Sequence, residues 1–261
     1  MPNHTTRAVA CHGNISHCHR RSAAWLMPAV ASAVLAILMM PAASASGETQ
    51  LDGNVTLTTD YLSRGVSQTM SSPALQACVE FAHQNGISAY LWGSNVDFVA
   101  YGDPDDGARL EFNLALGYDI ALSERVTAAI RRVRYFFPGT NPGLHYDYGE
   151  WIGEVALDDR HRVTLGYSDD IAGSGKQGVY LAAASGIDLP AGLSLDVQLG
   201  HNDLRSAYGD SYNHAALSVS GSVDAFTWQL AYHVTDSGAR DIYYGSVVEP
   251  RLVLSVNVAV W

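Results

Sequence analysis

The sequence predicts an all-β protein, an up-and-down antiparallel transmembrane β-barrel of about twelve strands that follows a cleaved N-terminal signal peptide. Three observations predict it. The chain begins with a basic segment and an apolar run, apolar and polar residues alternate with period two in segment after segment, and long and short connections between these segments alternate strictly. A barrel with one face toward lipid and one toward a polar lumen produces the last two patterns.

The first 45 residues have the order of a secretory signal peptide. Arg20 and Arg21 end a basic region, an apolar run covers 23–40, and Ala43-Ser44-Ala45 supplies small residues before a cleavage site. We therefore expect a signal peptide with an extended basic N-region at 1–45 and an outer-membrane barrel domain at 46–261. The alternative is an uncleaved membrane anchor, because about 18 apolar residues are enough to span a bilayer.

The charge of the chain argues against nucleic acid as a partner. The 261 residues carry 15 basic and 26 acidic side chains, a net charge of −11. Removal of 1–45 takes three arginines and no acidic residue, so the remaining chain has 15 − 3 = 12 basic residues against 26 acidic ones and a net charge of −14. Phosphate binding needs clustered Lys and Arg.

One group of metal-ligand residues lies ahead of the signal core. It consists of Cys11, Cys18, His12, His17 and His19. Since cleavage would remove it, we expect no metal site and no cofactor in the exported protein.

Alternation with period two defines the strands. In the segment 110–120, Leu110, Phe112, Leu114 and three further apolar residues alternate with small or polar ones, which is typical of a half-buried strand. The same pattern predicts twelve strands, at 53–62, 73–83, 87–98, 108–121, 125–135, 146–157, 161–168, 177–187, 193–201, 211–221, 225–235 and 249–261.

The connections between these strands alternate in length. Short ones such as Gln84-Asn85-Gly86 and Asp158-Asp159-Arg160 separate long ones such as 63–72 and 99–108. Membrane barrels have tight periplasmic turns and longer outside loops, whereas a soluble β-sandwich has no reason to sort its loops in this way. We therefore expect 63–72 to be the first external loop.

Aromatic residues and the chain end add to this interpretation. Trp261 is an aromatic residue at the end of the sequence, a feature that the barrel-insertion machinery commonly recognises. It falls, however, on the same strand face as Ser255 and Asn257, which indicates either a late β-bulge or an atypical terminal signal. The other aromatics on the apolar face are expected to form interfacial girdles, namely Tyr61, Phe81, Tyr90, Trp92, Phe98, Tyr118, Trp151, Tyr167, Phe226, Trp228 and Tyr232.

Polar residues on the lumen face of the first three strands are expected to meet near one rim. They are Asp60, Arg64, Gln76, Glu80, Asn95 and Asp97. Arg64 can pair in bidentate fashion with Asp60 or Asp97. Two interpretations remain open, a structural ion-pair network that holds the first loop against the wall and a constriction that contacts solutes.

Arg131, Arg132 and Arg134 form a dense basic group. Because charges on the lipid face are costly, we expect a β-bulge at Arg131-Arg132 that turns all three inward and places Val133, Tyr135 and Phe137 outside. The cationic patch would then face lumenal carboxylates, those of Glu111, Glu150 and Glu154. The alternative is an arginine girdle that pairs with lipid phosphates near the outer rim.

The stretch from Asp60 to Asp97 resembles a known family. Its segments "DYLSRGVSQ", "PALQ" and "WGSNVD" are similar to the signature of the TorF family of proteobacterial porins. The matching positions are Asp60, Tyr61, Arg64, Gly65, Ser67, Gln68, Pro73, Ala74, Gln76, Trp92, Ser94, Asn95, Val96 and Asp97. Cys78 departs from the small residue expected there. The resemblance implies an outer-membrane porin barrel and brings no catalytic residues.

We therefore expect a porin-like channel in the outer membrane of a Gram-negative bacterium, open to passive diffusion of small polar solutes or ions, and no enzyme. Its expected partners are outer-membrane lipids, the barrel-insertion machinery and the solutes. The alternative is a non-conducting barrel with a structural, lipid-interacting or lipid-modifying role.

Overall fold

The computed structural model describes residues 49–98 and 106–260. The predicted signal peptide and Trp261 lie outside the described residues, as do 99–105 in the second long connection.

The predicted twelve-stranded barrel is confirmed in the described part of the chain. Each barrel strand pairs antiparallel with its neighbour in sequence, and the first and last barrel strands pair with each other to close the barrel. The barrel strands are β1 Thr49–Thr58, β4 Ala74–His83, β5 Ile87–Asn95, β6 Leu110–Ala121, β7 Val126–Phe136, β8 Tyr148–Leu157, β9 His161–Ser168, β10 Gly178–Leu189, β11 Leu193–Asp203, β12 Ser211–Val223, β13 Phe226–Thr235 and β14 Arg251–Ala259. Two further strands, β2 Leu62–Ser63 and β3 Val66–Ser67, form a separate ribbon.

Successive side chains in the barrel strands point alternately outward and inward. In β6, Leu114 and Leu116 are 45% and 63% exposed on the outer surface, whereas Glu111, Asn113 and Ala115 are buried inside. A soluble protein would bury such an apolar face against a second layer, whereas an apolar outer surface is typical of a membrane barrel.

The alternation of connection lengths is also confirmed. Short turns lie at one end of the barrel, which we call the short-turn end, at 84–86, 122–125, 158–160, 190–192 and 224–225. The opposite end, the long-loop end, carries the connections 59–73, 96–109, 137–147, 169–177, 204–210 and 236–250.

The long connections contain short helices. These are α1 Arg205–Tyr208, α2 Ser237–Ile242 and the 3-10 turns Ile171–Gly173 and Gly245–Val248, while a further 3-10 turn, Pro190–Gly192, lies at the short-turn end. Among the residues that the structure describes, no helix has the length and apolar character needed to cross a membrane.

Buried apolar side chains concentrate inside the long-loop end. Val66 comes from the first connection, Phe137 from the third, Leu204 from the fifth and Val247 from the last, and all are at most 3% exposed. The long connections thus pack together with the ribbon β2–β3, which places a small apolar core over one end of a polar barrel.

Of the aromatics that the sequence assigns to the apolar outer face, some lie on the outer surface and others do not. Trp151, Tyr167, Phe226 and Tyr232 are 43–52% exposed on the outer surface. Tyr61, Tyr90, Trp92 and Phe98 are instead buried inside, at 1–8% exposure. In β5 both faces carry apolar residues, because Ile87 and Leu91 point outward while Tyr90 and Trp92 point inward. Alternation alone therefore selected the wrong face there.

The last strand contains no bulge within its described residues. Pairing of β14 with β1 is continuous from Asn54↔Ala259 to Thr58↔Ser255. Leu252 and Leu254 are 64% and 45% exposed on the outer face, as the sequence predicts.

Candidate functional site

The first long connection folds into the barrel instead of extending outside it. Its residues 60–69 form a tight hairpin, the lumenal hairpin, in which Leu62 pairs with Ser67 and Ser63 with Val66. Arg64 and Gly65 form the turn with φ values of 47° and 83°. Two successive positive φ values are those of a type I′ turn, and a glycine in the second position accepts one at little cost. The prediction of an external loop here is wrong.

Asp60 organises the base of the hairpin. Its carboxylate accepts hydrogen bonds from Ser67 Oγ at 2.6 Å, Thr69 Oγ1 at 2.9 Å and Arg251 Nη1 at 2.6 Å. Burial raises the pKa of the Asp60 carboxyl, and the Ser67 hydroxyl and the Arg251 charge partly offset this effect. The hairpin is thus fastened to β14, which lies beside β1 in the closed barrel.

Tyr61 connects the hairpin to the neighbouring wall. Its ring packs against Trp92 of β5 with centroids 5.2 Å apart, and its hydroxyl donates to the Glu111 carboxylate of β6 at 3.2 Å. Glu111 is fully buried and also accepts a hydrogen bond from Asn113 Nδ2 at 2.9 Å. A wall carboxylate is therefore used to hold the hairpin.

Arg64 at the tip lies in a set of side chains that we call the Arg64 box, formed by Glu150, Asn202, Tyr180 and Tyr135. Its Nη2 is 2.7 Å from both carboxylate oxygens of Glu150, and its Nη1 donates to Asn202 Oδ1 at 3.2 Å. The guanidinium carbon lies 4.0 Å from the centre of the Tyr180 ring, and the Tyr135 hydroxyl donates to Glu150 at 3.1 Å. A carboxylate, an amide oxygen and an aromatic face thus surround one cation.

The charge of the guanidinium is maintained in this buried place. The Arg64 side chain is 9% exposed and that of Glu150 is fully buried. Burial opposes the charge, but the Glu150 carboxylate and the nearby Tyr148 outweigh it, so that the pKa of the Arg64 guanidinium lies above its ordinary value. The two groups form a salt bridge inside the barrel at the tip of the hairpin.

Gly65 brings the hairpin tip against the far wall. A β-carbon at this position would lie 2.8 Å from His214 Cβ of β12 and 2.8 Å from Thr235 Cγ2 of β13. Since Tyr61 contacts β5 and β6 and Gly65 contacts β12 and β13, the hairpin crosses the lumen from one side to the other.

The last long connection covers the hairpin from the long-loop end. Val66 of the hairpin and Val247 and Val248 of that connection are at most 1% exposed. Thr235 Oγ1 donates to the carbonyl oxygen of Val248 at 3.0 Å, and Tyr243 packs edge-on against Tyr212 of β12 at 5.7 Å.

On the other side of the hairpin lies a cavity of about 570 Å³. The hairpin forms one side of it and polar side chains of the strands form much of the rest, among them Gln76, Arg131, Glu154, Arg162, Thr164, Asp196, Gln198, Ser218, Gln229, His233 and Ser255. Charges of both signs pair along the wall, because Arg131 lies 2.5 Å from Asp119 and Arg162 lies 3.1 Å from Glu154. The cavity is therefore suited to polar contents.

The predicted rim network is brought together only in part. Arg64 pairs with Glu150 and not with Asp60 or Asp97, so the predicted pairing is wrong. Asp97 lies 4.0 Å from Arg109, and Asn95 accepts a hydrogen bond from the backbone of Leu75 at 2.8 Å. These two side chains secure the ends of connections at the rim, while Gln76 and Glu80 occupy inward positions of β4.

The predicted bulge in β7 is absent. Pairing of β7 with β6 and β8 is unbroken, so only Arg131 points inward, at 8% exposure. Arg132 and Arg134 point outward, over the rings of Trp151 at 5.5 Å and Phe136 at 5.8 Å. Val133, Tyr135 and Phe137 are buried, not outside. Both outward arginines lie in the half of β7 nearer the long-loop end. In a membrane barrel, a charge on the outer face costs less free energy near the membrane surface than at the middle of the bilayer.

Some residues of the site have no counterpart in the sequence-based prediction. Tyr180, Asn202, His214 and Arg251 all contact the lumenal hairpin. Each occupies an inward position near the long-loop end of its strand, so the alternation of outward and inward residues is enough to place its side chain in the lumen. The sequence around these residues does not indicate that the first long connection would contact them.

Residues 42–260 match the model of a family described as "Bacterial protein of unknown function (Gcw_chp)", and the chain belongs to this family. No curated protein is significantly similar to the chain in sequence.

Several solved structures have a similar fold. The NanC porin shares 11% identity at a TM-score of 0.50, with 80% of this chain and 98% of that one covered. The KdgM porin shares 7% identity at a TM-score of 0.48 over the same shares of the two chains. OprD of Pseudomonas aeruginosa shares 15% identity at a TM-score of 0.40, covering 83% of this chain and 66% of that one. At these identities the likeness concerns the fold.

Proposed function

We propose that this member of the Gcw_chp family is a porin-like channel of the outer membrane, through which small polar solutes or ions diffuse, and that the lumenal hairpin sets its width. One observation carries the proposal: a hairpin held by discrete polar contacts crosses the polar lumen of a twelve-stranded barrel. An interior built only for stability would be filled by side chains of the strands themselves.

The strand number supports a narrow channel. Barrels of about eight strands fill their interior with side chains, and barrels of sixteen or more leave a wide aqueous channel. Twelve strands lie between these cases, and the cavity of about 570 Å³ beside the hairpin agrees with an interior that side chains do not fill. Displacement of the hairpin would join this cavity to the long-loop end.

The signature residues support a relation to the TorF porins. Asp60, Tyr61, Arg64, Gly65 and Ser67 each make a contact that builds or anchors the hairpin. The sequence motif therefore encodes the element that occupies the lumen. We propose that the chain shares the channel function that the resemblance implies.

The outer surface supports the proposed membrane and its lipid partners. Apolar side chains such as Leu116, Leu181 and Leu199 are 50–63% exposed there, and Arg132 and Arg134 extend outward in the half nearer the long-loop end. In this proposal, these arginines contact lipid phosphates, as the girdle alternative describes. Export by a signal peptide at 1–45 and insertion through the C-terminal strand belong to the same proposal.

A non-conducting barrel is the second candidate. The observation that favours it is the closure of the long-loop end, where the hairpin and the last connection pack together with Val66 and Val247 fully or almost fully buried. Such a barrel would hold its hairpin permanently and would let no solute pass.

Liposome swelling separates the two candidates. The refolded protein, Arg64→Ala and the control Arg125→Ala are reconstituted and exposed to neutral solutes of graded size. Arg125 is suited to the control because it pairs with Asp158 at the surface of the short-turn end. We expect faster swelling with Arg64→Ala than with the other two proteins. Absence of swelling from all three folded barrels would contradict the channel and support the non-conducting one.

A further inference from the structure

We propose that the Arg64 box is also a binding site for solutes that carry a guanidinium group, and that such a solute takes the place of Arg64 when the hairpin leaves. This inference rests on the proposed channel function and names a substrate class for it. Arg64 would then be an internal mimic of the solute.

The box has the parts that recognise a planar cation. Glu150 offers two carboxylate oxygens, each 2.7 Å from Nη2, and Asn202 offers an amide oxygen to the other terminal nitrogen. Tyr180 presents its ring 4.0 Å from the guanidinium carbon. All of these groups except the Arg64 side chain itself belong to barrel strands. The site therefore persists when the hairpin moves.

Opening of the hairpin leaves an anion that needs a partner. With Arg64 gone, the Tyr135 hydroxyl still donates a hydrogen bond to Glu150. A carboxylate that loses its cation in a buried place is strongly destabilised unless another cation or water replaces it. A ligand that binds only the open form shifts the population toward that form by its differential affinity. A solute that satisfies Glu150 thus favours the open channel.

Guanidinium fits this role better than ammonium. Its planar fork directs donors at several acceptors at once and stacks on an aromatic face, whereas an ammonium group is a compact and strongly hydrated point charge. In the box, the fork reaches Glu150 and Asn202 while the plane lies near Tyr180. An amine could meet the carboxylate but would not reproduce the whole set of contacts.

Part of the box borders the cavity. Arg64, Tyr135 and Tyr180 all line the cavity on the short-turn side of the hairpin. A small solute in the cavity can therefore meet Tyr135 and Tyr180, whereas Glu150 and Asn202 are fully buried and become accessible when Arg64 leaves. Asp196 lines the same space, and Glu154 is paired there with Arg162.

Single-channel recording with matched probes tests the inference. Methylguanidinium and methylammonium carry the same charge, and methylurea is a neutral planar analogue. We expect methylguanidinium to raise the open probability of the wild-type channel at about tenfold lower concentration than methylammonium, with no response to methylurea. Equal responses to the two cations would overturn the guanidinium assignment.

Arg64→Ala provides a second readout that does not depend on gating. The variant contains a vacant box, so methylguanidinium should raise its unfolding temperature more than that of the wild type and should briefly block its open channel. Tyr180→Leu introduced with Arg64→Ala should weaken both effects. No stabilisation and no block of a folded Arg64→Ala barrel would overturn the inference.

These outcomes separate the inference from the function on which it rests. Ion current through Arg64→Ala in the absence of any probe tests the channel. The response of that current and of the unfolding temperature to methylguanidinium tests the box. A conducting variant that ignores the probe would leave the channel function in place and remove the guanidinium site.

Discussion

Arg64 Nη2 lies 2.7 Å from both carboxylate oxygens of Glu150, although the two residues are 86 positions apart in the chain. This pair joins the tip of an inward-folded loop to a strand on another side of the barrel. Removal of one partner of such a buried pair costs about 3–5 kcal/mol, because the other charge remains in the lumen. The position of the hairpin therefore depends on a few identifiable side chains.

Gly65→Ala should displace the hairpin tip. Both φ, at 83°, and the 2.8 Å approach to His214 Cβ oppose a β-carbon there. The control is Gly209→Ala, which has a similar φ of 85° but no atom within 4 Å of the added carbon. We expect a larger ion current from Gly65→Ala only, measured in planar bilayers. Equal currents from both variants would mean that crowding at the tip does not hold the hairpin.

Tyr61→Phe should loosen the hairpin base slightly while keeping the ring contact with Trp92. It removes the 3.2 Å hydrogen bond to Glu111, a buried acceptor, and should lower the free energy of unfolding by about 1–2 kcal/mol. Urea unfolding followed by tryptophan fluorescence measures this. Tyr167→Phe is the control, because Tyr167 is 43% exposed on the outer surface; a similar loss in both variants would argue against the lumenal contact.

Asp60→Asn should destabilise the base of the hairpin, and the difference from the wild type should depend on pH. Burial raises the pKa of the Asp60 carboxyl above its ordinary value of 3.8. A raised pKa means that the folded protein binds the proton more tightly than the unfolded chain. Protonation of Asp60 therefore contributes to the stability of the folded protein. This contribution is fully present below pH 3.8 and is lost as the pH rises through the raised pKa.

The wild type should therefore gain stability relative to Asp60→Asn as the pH falls from neutral toward 3.8. Unfolding midpoints of both proteins over this range measure the difference. A wild type that loses stability relative to the variant on acidification would show that the Arg251 salt bridge dominates and that the pKa is lowered.

Arg131→Ala and Arg134→Ala should differ in ion selectivity. Arg131 lines the cavity and pairs with Asp119, whereas Arg134 points outward over Phe136. We expect the first substitution to shift the reversal potential in a salt gradient toward cation preference and the second to leave it unchanged. A shift with Arg134→Ala would contradict the unbroken register of β7.

The barrel could be predicted from the sequence because its pattern is local. The residues of a single strand, such as 110–120, are enough to distinguish its apolar face from its polar face. The length of a connection such as 84–86 can likewise be predicted without knowledge of tertiary contacts. An apolar outer face and a polar lumen produce the same alternation in every strand.

The site could be predicted only in part, because its contacts are not local. The residues of the signature were identified, but the inward direction of the hairpin follows from partners such as Glu150, Asn202 and Arg251 that lie far along the chain. At Arg132, the sequence-based prediction was wrong for a different reason. The cost of a charge on the lipid face suggested a bulge, but its contact with Trp151 and its position nearer the long-loop end allow the regular register to remain.

The conductance of a hairpin-shortened protein tests the central claim most directly. In this variant Gly-Gly replaces the segment Leu62 to Ser67, and a matched variant shortens the connection between β7 and β8 around Gly143, a residue with open space around it. Gel mobility before and after heating confirms that each barrel is folded. A lumenal hairpin predicts a single-channel conductance several times that of the wild type for the first variant and an unchanged one for the second. Equal conductance of the wild type and the hairpin-shortened barrel would show that the hairpin does not obstruct the channel.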